Sequence, residues 1–571
     1  MPDFKEKETV GARVLVDMLI AYEVEVIFGV PGDTSLPLYD ALHASRSKIR
    51  HVLARDERSA VFMADAYARL TGKPGVCECP SGAGALYSIP GVAEANASSI
   101  PLILLTSGIA LSGEDKGTIT ELDHHKLFEP VTKWSSFLKY AHKIPETIRR
   151  AFRTVTTGRP GAVHLSFPTE VMGGIFKVRA SQVYAEPDCT RYPAYRMRGD
   201  SQRVVRLAGL LTEARKPLII AGGGAVHSGA GELIIKIAEL LSLPVATTIS
   251  GQGIMPDDHT LAVGVVGDNG FHPHAHAAVD KADLLVYLGC KMGSVSTVKW
   301  TRPSPETKIK IAQVDIDPVM LSNNYRNELC IAGDVRLVLK DLYGILQGRD
   351  TNLSKQDWSS AINGIRKSFW KESEPQLNSN ETPIRPQRVI NSLNAHLREP
   401  SIVISDAGTP TPYITRFLRL RGKDSRFIIP RSFGGLGYAI PAVAGAYLAR
   451  PDALIIGMFG DGSFGMSAGE LETLVRLKVP AVLIHFNNGS FGWIKALQSI
   501  HSGGRYQSVD FTQANIANVA AAFGLKSFYV TEPGQLDGVF REAISHKGPV
   551  FIDILSQPEF MELPPVYSWT N

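Results

Sequence analysis

A chain of 571 residues is too long for one hydrophobic core and calls for about three domains. Apolar residues make up 44% and charged residues 20%, which excludes a disordered or fibrous protein and fits an ordinary globular one. A net charge of +4 over this length gives no case for nucleic acid. No run approaches the length of a membrane span, and five scattered cysteines without a signal peptide point to a reducing cytoplasm.

The chain opens with a helical period over Gly11 to Tyr22, followed by VEVIFGVPGD, a strand running into a Gly-Pro-Gly turn that ends at Gly32 and Asp33. After a second helix, the short strand His51 to Ala54 leads to Glu57 and to a helix containing Ala60, Met63, Ala64 and Tyr67. Glu57 taken alone reads as an acid that suits the positive end of a helix. Cys77 and Cys79 lie in an apolar strand, and no second pair completes a zinc site, so both are expected in the core. SGAGA (Ser81 to Ala85) is a glycine turn onto a helix, IPLILLT is a buried strand, and the segment holding Ile119, Thr120 and Glu121 follows.

Short apolar strands recur in KPLIIAGGG, LPVATT, DLLVYLGC and IAQVDID, each followed by a helical stretch, which is the pattern of a second α/β domain. The glycine turn GGGAVHSG is a weak nucleotide-loop signal by itself. Residues 347 to 383 are polar and are expected to form a surface linker. SIVISDAGT (Ser401 to Thr409) is a buried strand ending at Gly408 and Thr409, and SFGGLGYAIPAVAGAYLA carries Gly434 and Leu436 in a glycine loop before an apolar helix.

The most informative stretch runs from Ala453 to Asn488. ALIIGMF is a strand buried on both faces, and Gly460, Asp461 and Gly462 interrupt it. A helical period through Glu470, Leu471, Leu474, Val475 and Leu477 leads to a second buried strand, AVLIHF, closed by Asn487 and Asn488. The polar residues gather at the carboxyl ends of the two strands, where open parallel sheets bind ligands. Asp461 offers a carboxylate, Asn488 an amide oxygen and Ser490 a carbonyl, a hard-oxygen set suited to Mg²⁺ beside a phosphate. Gly462 and Ser463 leave backbone N–H groups free for that phosphate. Either motif alone is a turn or a loop. Trp493 and Leu497 follow on one face of a further helix, where a lone Trp is more often core than pocket.

GDGSF followed at this distance by NN resembles the diphosphate and Mg²⁺ motif of thiamine diphosphate enzymes. The nearest branch is that of acetolactate synthase, pyruvate oxidase and 2-hydroxyacyl-CoA lyase, and the resemblance covers nearly the whole chain. It implies three doubly wound parallel α/β domains: a pyrimidine-binding domain over 1–185, a central nucleotide-binding-like domain over 195–346, the linker 347–383, and a diphosphate-binding domain over 384–571. It makes Glu57 the catalytic carboxyl facing the pyrimidine ring of a cofactor bound by the other subunit. Leu436 becomes the apolar prop between the two cofactor rings, and the Gly434 carbonyl the acceptor for the aminopyrimidine. Gly408, Thr409, Asp461, Gly462, Ser463, Asn488 and Ser490 surround the diphosphate, with Asp461, Asn488 and Ser490 on the metal. Gly32, Asp33, Ile119, Thr120, Trp493 and Leu497 border the substrate.

The chain also departs from that pattern. Tyr87 stands where relatives carry Asn, Ile119-Thr120 where they carry Phe-Gln, and Thr409-Pro410 where synthases carry Gln-His. After Cys290 the run Lys291-Met292-Gly293-Ser294 replaces the Arg-Phe-Asp-Asp-Arg of flavin-bearing relatives, so FAD is not expected, while ADP or part of a CoA ester still fits the central domain. The expected activity is cleavage or formation of a carbon–carbon bond next to a carbonyl, by 2-oxo acid decarboxylation and carboligation. A 2-hydroxyacyl-CoA lyase or oxalyl-CoA decarboxylase is the alternative, and a non-catalytic cofactor-binding paralogue a third. A homodimer is the minimum expected assembly and a homotetramer the fuller one, with neither nucleic acid nor membrane as partner. The tail FMELPPVYSWTN either covers the active site or packs on the surface.

Overall fold

The computed structural model describes residues 6–347, 355–422, 424–558 and 560–570. Among them, the chain forms three six-stranded sheets and a two-stranded antiparallel ribbon that pairs Glu6–Val10 with Ile175–Arg179. Every strand pair within the three large sheets is parallel. Their inner strands are buried along their length, as in Leu102–Gly108, Leu284–Leu288 and Ala481–Asn487, because helices cover both faces.

The first and last sheets share one topology. In space the first runs Arg50–Leu53, Val26–Gly29, Gly75–Cys79, Leu102–Gly108, Ala162–Pro168, Trp134–Phe137. The last runs Arg426–Ile428, Ser401–Ser405, Leu454–Gly460, Ala481–Asn487, Val550–Leu555, Lys526–Val530. Both orders read second, first, third, fourth, sixth, fifth in chain sequence, so the two domains are copies of one design. The middle sheet reads third, second, first, fourth, fifth, sixth, the dinucleotide-binding order. In the copied design the strand order reverses between the first and third strands. The crevice over that point is where an α/β sheet takes its ligand.

The chain packs as two compact units, one made of residues 1–195, 430–451 and 465–479 and the other of the remainder. Within the first unit, helix Ala439–Ala449 lies against helix Glu57–Thr71 closely enough that a Cβ on Gly445 would stand 2.1 Å from the Met63 carbonyl oxygen. Tyr438 donates to the buried Asp65, which also pairs with Arg69, so the crossing is fixed by polar contacts as well. The apolar core of this unit runs through Leu15, Ile103, Phe152 and Leu165.

From residue 355 on, the segment 347–383 departs from the surface linker its polarity suggests, and 348–354 lie outside the described residues. Residues Gln356–Leu377 form a 22-residue helix. Its Trp358, Ile362 and Phe369 are buried, and Trp358 Nε1 donates to the Pro217 carbonyl at 2.9 Å. Arg366 donates to the carbonyls of His259 and Ala262, both at 2.9 Å, and to that of Asp257. A few large side chains and one arginine fasten a helix whose other faces are charged, and average polarity hides them.

No described helix is long and apolar enough to cross a membrane. The tail reaches back to the central domain of its own unit. Ser568 N and Oγ donate to the Asp268 carboxylate at 2.8 and 3.0 Å, and the Trp569 ring lies 4.4 Å from that of Trp493.

Candidate functional site

In the last sheet, the first and third strands end side by side. Ser401–Ser405 leads into Asp406, Ala407 and Gly408, whose φ of 121° is open to glycine alone. Thr409 and Pro410 then begin the helix Pro410–Phe417, where the missing proline N–H costs nothing. Leu454–Gly460 ends at Asp461, the first residue of a seven-residue helix that carries Gly462 and Ser463. A Cβ on Gly460 would lie 3.9 Å from the Pro410 side chain, so the two turns face each other across the reversal point.

The fourth strand, Ala481–Asn487, brings the third element. Asp461 Oδ2 accepts from the backbone N–H groups of Asn488 and Gly489 at 3.0 and 3.1 Å. Asn488 Oδ1 accepts from Ser490 N and Oγ at 3.1 and 2.9 Å, and Ser490 is buried. The loop is clamped from outside, since Phe511 N donates to the Gly489 carbonyl and Phe491 N to that of Val509, both at 2.8 Å. Asp461, Asn488 and Ser490 therefore share one rigid loop pair. Their donors are a carboxylate, an amide and a carbonyl, hard oxygens that fit Mg²⁺ sharing its shell with phosphate oxygens. Among the described residues no three His, Cys, Asp or Glu side chains gather as a metal cluster.

Below Asp461 lies a polar pair that the apolar runs conceal. His485 is buried on the fourth strand, its Nδ1 2.8 Å from Asp553 Oδ1 and its Nε2 3.4 Å from Asp461 Oδ1. Burial alone would push the imidazole pKa down, but the hydrogen bonds and charges of Asp461 and Asp553 outweigh it and hold it above the ordinary value. Asp553, also buried, accepts in addition from Asn487 Nδ2 and from the N–H groups of Ile516 and Ala517.

The first domain repeats the arrangement. Val26–Gly29 ends near Gly32, where a Cβ would stand 2.4 Å from that of Pro80 in the loop after the third strand. Glu57 opens the helix Glu57–Thr71, which Asp56 caps by accepting from Ser59 N. A Cβ on Gly84 would lie 2.9 Å from Glu57 Oε1. The Pro80–Gly84 loop is thus where Gly32 and Glu57 meet. Thr120 joins them, its Oγ1 2.7 Å from Ser81 Oγ, with a backbone φ of 66° that a β-branched residue rarely holds. Asp33 lies in a single turn of 3₁₀ helix beside Gly32, and Ile119 is 86% exposed.

Glu57 has a raised pKa. Burial contributes most, a hydrogen bond from its own backbone N–H works the other way, and the charges of Asp56 and Glu78 add to the rise. Glu78, invisible in the run GVCEC, is buried on the third strand and accepts from Tyr39 OH. Its own pKa is raised by burial against the hydrogen bonds of His51 and Tyr39. The signal for Glu78, as for His485 and Asp553, is a charged or polar residue inside a strand otherwise closed to water.

Gly434 and Leu436 lie on the loop before helix Ala439–Ala449, Gly434 with a φ of 66°. Buried Glu94 anchors this loop by accepting from Arg431 N, Ser432 N and Phe433 N at 3.0, 3.1 and 2.7 Å. Trp493 and Leu497, both half-buried, stand on helix Gly492–Ser502 immediately beyond the Asn488–Ser490 loop. Trp493 is the one that meets the tail.

Comparison with known proteins agrees with this layout. The N-terminal TPP binding domain of thiamine pyrophosphate enzymes matches residues 9–127, their central domain residues 204–342, and their C-terminal TPP binding domain residues 406–554. The probable acetolactate synthase large subunit of Methanocaldococcus jannaschii is 34% identical over 556 residues, covering 96% of this chain and 92% of that protein. The acetolactate synthase large subunit of Porphyra purpurea is 31% identical over 555 residues, covering 96% and 92%. The acetolactate synthase of Mycobacterium bovis is 30% identical over 577 residues, covering 99% and 91%. With all three domains in order and relatives aligned along almost the whole chain, the protein belongs to the thiamine diphosphate-dependent enzymes, in the acetolactate synthase branch.

Proposed function

We propose that the protein is a thiamine diphosphate- and Mg²⁺-dependent carboligase that decarboxylates a 2-oxo acid and joins the remaining fragment to an acceptor carbonyl. The observation that carries this reading is the matched pair of reversal points. One presents a carboxyl of raised pKa, Glu57, and the other presents the oxygen set Asp461, Asn488 and Ser490. When bound, the cofactor supplies the electron sink for the bond broken next to the carbonyl. The chain's own residues do the rest. Asp461, Asn488 and the Ser490 carbonyl hold the metal, while Gly408, Thr409 and the N–H groups of Gly462 and Ser463 face the diphosphate. Leu436 props the two rings toward each other, the Gly434 carbonyl accepts from the exocyclic amine, and Glu57 holds a proton at the pyrimidine nitrogen. Glu57 works against cofactor seated on Asp461 of the partner subunit, which makes the homodimer the smallest active assembly and a homotetramer the expected one. Gly32, Asp33, Thr120, Trp493 and Leu497 border the acceptor.

A 2-hydroxyacyl-CoA lyase is the second reading, and the exposed Ile119 with Thr120, in place of the Phe-Gln of synthases, favours it. The deciding experiment loads purified protein with thiamine diphosphate and Mg²⁺ and offers pyruvate, other 2-oxo acids and 2-hydroxyacyl-CoA esters, following carbon dioxide and products by NMR. Carbon dioxide with a 2-hydroxy-2-alkyl-3-oxo acid supports the carboligase. Carbon–carbon cleavage of the 2-hydroxyacyl-CoA ester to an aldehyde and a one-carbon acyl-CoA, with no turnover of 2-oxo acids, replaces it with the lyase. We further infer that the central domain takes no flavin, because Lys291-Met292-Gly293-Ser294 follows Cys290 and Asn324 Nδ2 closes that turn on the carbonyls of Lys291 and Met292. ADP or the nucleotide end of a CoA ester remains compatible with it. Purified protein should be colourless, and a bound flavin spectrum would overturn this.

A further inference from the structure

The loop that carries Gly434 and Leu436 has little shape of its own, because Gly434, Gly435 and Gly437 fall within four residues. Burial does little to hold it, since Phe433 and Gly434 are exposed and Leu436 is half-buried. Its entry is fixed by Glu94, which is 1% exposed on helix Ala83–Ala97. Oε1 accepts from Arg431 N at 3.0 Å and Ser432 N at 3.1 Å, and Oε2 from Phe433 N at 2.7 Å. Ser98 Oγ donates to Oε1 at 2.6 Å and lies 2.9 Å from Ser432 Oγ. Successive N–H groups that converge in this way form a seat for an anion, and here the anion is a side chain of the protein itself. Both oxygens accept from N–H groups, the setting of an ionised carboxylate. The helix beneath is fixed in turn against helix Glu57–Thr71. A Cβ on Gly91 would stand 2.6 Å from Val61 Cβ, and one on Gly84 2.9 Å from Glu57 Oε1.

We propose that Glu94 is a positioning residue for the ring end of the cofactor: it holds in place the loop whose Gly434 carbonyl and Leu436 side chain meet the rings. The inference rests on that reading of Gly434 and Leu436, and its test separates the two ideas. Without the carboxylate, three neighbouring N–H groups lose their common acceptor and a glycine-rich loop is free to move. Asp461, Asn488 and Ser490 belong to a different loop pair, fixed by its own hydrogen bonds. Loss of Glu94 is therefore felt at the rings and not at the diphosphate.

Two probes are titrated by calorimetry into the full-length protein in excess Mg²⁺: thiamine diphosphate, and inorganic diphosphate, which has no rings. Hydrogen exchange of the cofactor-free protein reads the amides of residues 431–433, and circular dichroism checks folding. Glu94→Gln keeps the size of the side chain but turns an NH₂ group toward a backbone donor. The expected result is a loss of about 10–100-fold in thiamine diphosphate affinity, the range for hydrogen bonds to a charged group, with inorganic diphosphate bound within about threefold of wild type. Residues 431–433 should exchange faster in the same variant. Equal losses for the two probes, or no loss for either, overturn the positioning role, and so does unchanged exchange at 431–433. If Glu94→Gln does not fold, Glu94→Asp takes its place. That variant keeps the charge, but its shorter side chain cannot reach all three N–H groups, and an unchanged ratio of the two affinities overturns the proposal. Leu436→Ala runs alongside, and wild-type thiamine diphosphate affinity in that variant removes the reading of the loop on which the proposal stands.

Discussion

Glu57 illustrates how one residue satisfies two demands. The first turn of a helix favours an acid, and that alone would lower its pKa. The structure raises it instead, through burial and the neighbouring carboxyls Asp56 and Glu78. A carboxyl that keeps its proton to higher pH suits donation to a ring nitrogen. Glu57→Gln preserves size and hydrogen bonding but cannot transfer a proton. Turnover on the substrate found should fall about 10²–10⁴-fold while thiamine diphosphate affinity changes far less. Near wild-type turnover would return Glu57 to the status of a helix-start acid. Asp461 makes the opposite split. Asp461→Ala leaves the diphosphate without its counter-ion, so calorimetry in the presence of Mg²⁺ should register no cofactor binding, and undiminished binding would remove Asp461 from the site. Residues of this kind were legible because they sit at strand ends, where a polar side chain breaks an apolar run. Glu78, His485 and Asp553 were not, since each lies within a run and its partners come from other strands or helices.

At the scale of elements, the crossing of helices Glu57–Thr71 and Ala439–Ala449 sets where Glu57 stands. Gly445 permits that crossing, because any side chain there would strike the Met63 carbonyl at 2.1 Å. Gly445→Ala should destabilise by about 1–3 kcal/mol through overpacking, with turnover reduced alongside. Gly364 is the contrasting case. It lies within helix Gln356–Leu377 with nothing within 4 Å of a Cβ. Gly364→Ala should stabilise by about 0.5–1 kcal/mol, since only helix propensity changes. Thermal unfolding of the pair checks both signs, and a stabilised Gly445→Ala would show that the helices can part at no cost. The same two helices mark the limit of sequence reading. AIPAVAGAYLA is apolar all round and betrays its burial. Gln356–Leu377 reads as polar linker because Trp358, Ile362 and Phe369 are few among many charges, and only the cores beneath them, that of the central sheet for Trp358 and Ile362 and that of the last sheet for Phe369, make those side chains decisive.

For the whole molecule, the doubled topology explains why so much of the architecture was readable: the central strands of both sheets are short apolar runs buried on both faces, and two copies give the same pattern twice. Stability against acid is a different matter, governed by histidines that no periodicity reveals. His274 and His276 are 1% and 3% exposed on helix Pro273–Lys281. Burial holds the pKa of each down to about 3, with Arg366 and Arg416 beside His274, and Arg302 and Arg416 beside His276, adding positive charge. Both are neutral in the fold, whereas the unfolded chain binds their protons near pH 6.5. Their contribution is therefore complete above about pH 6.5 and drains as pH falls toward 3, at up to ~1.4 kcal/mol per pH unit for each group. Unfolding of the central domain should grow steep below pH 6. His274→Phe removes one of these groups from a site where Nδ1 has no hydrogen bond and the ring packs 5.4 Å from that of Phe369. Denaturant midpoints at pH 8, 6, 5 and 4.5 test it. The variant should match wild type at pH 8 and lose stability more slowly with acid, by about 1 kcal/mol per unit between pH 6 and 4. Parallel pH slopes would mean that His274 is already protonated in the fold, and that burial does not govern its charge.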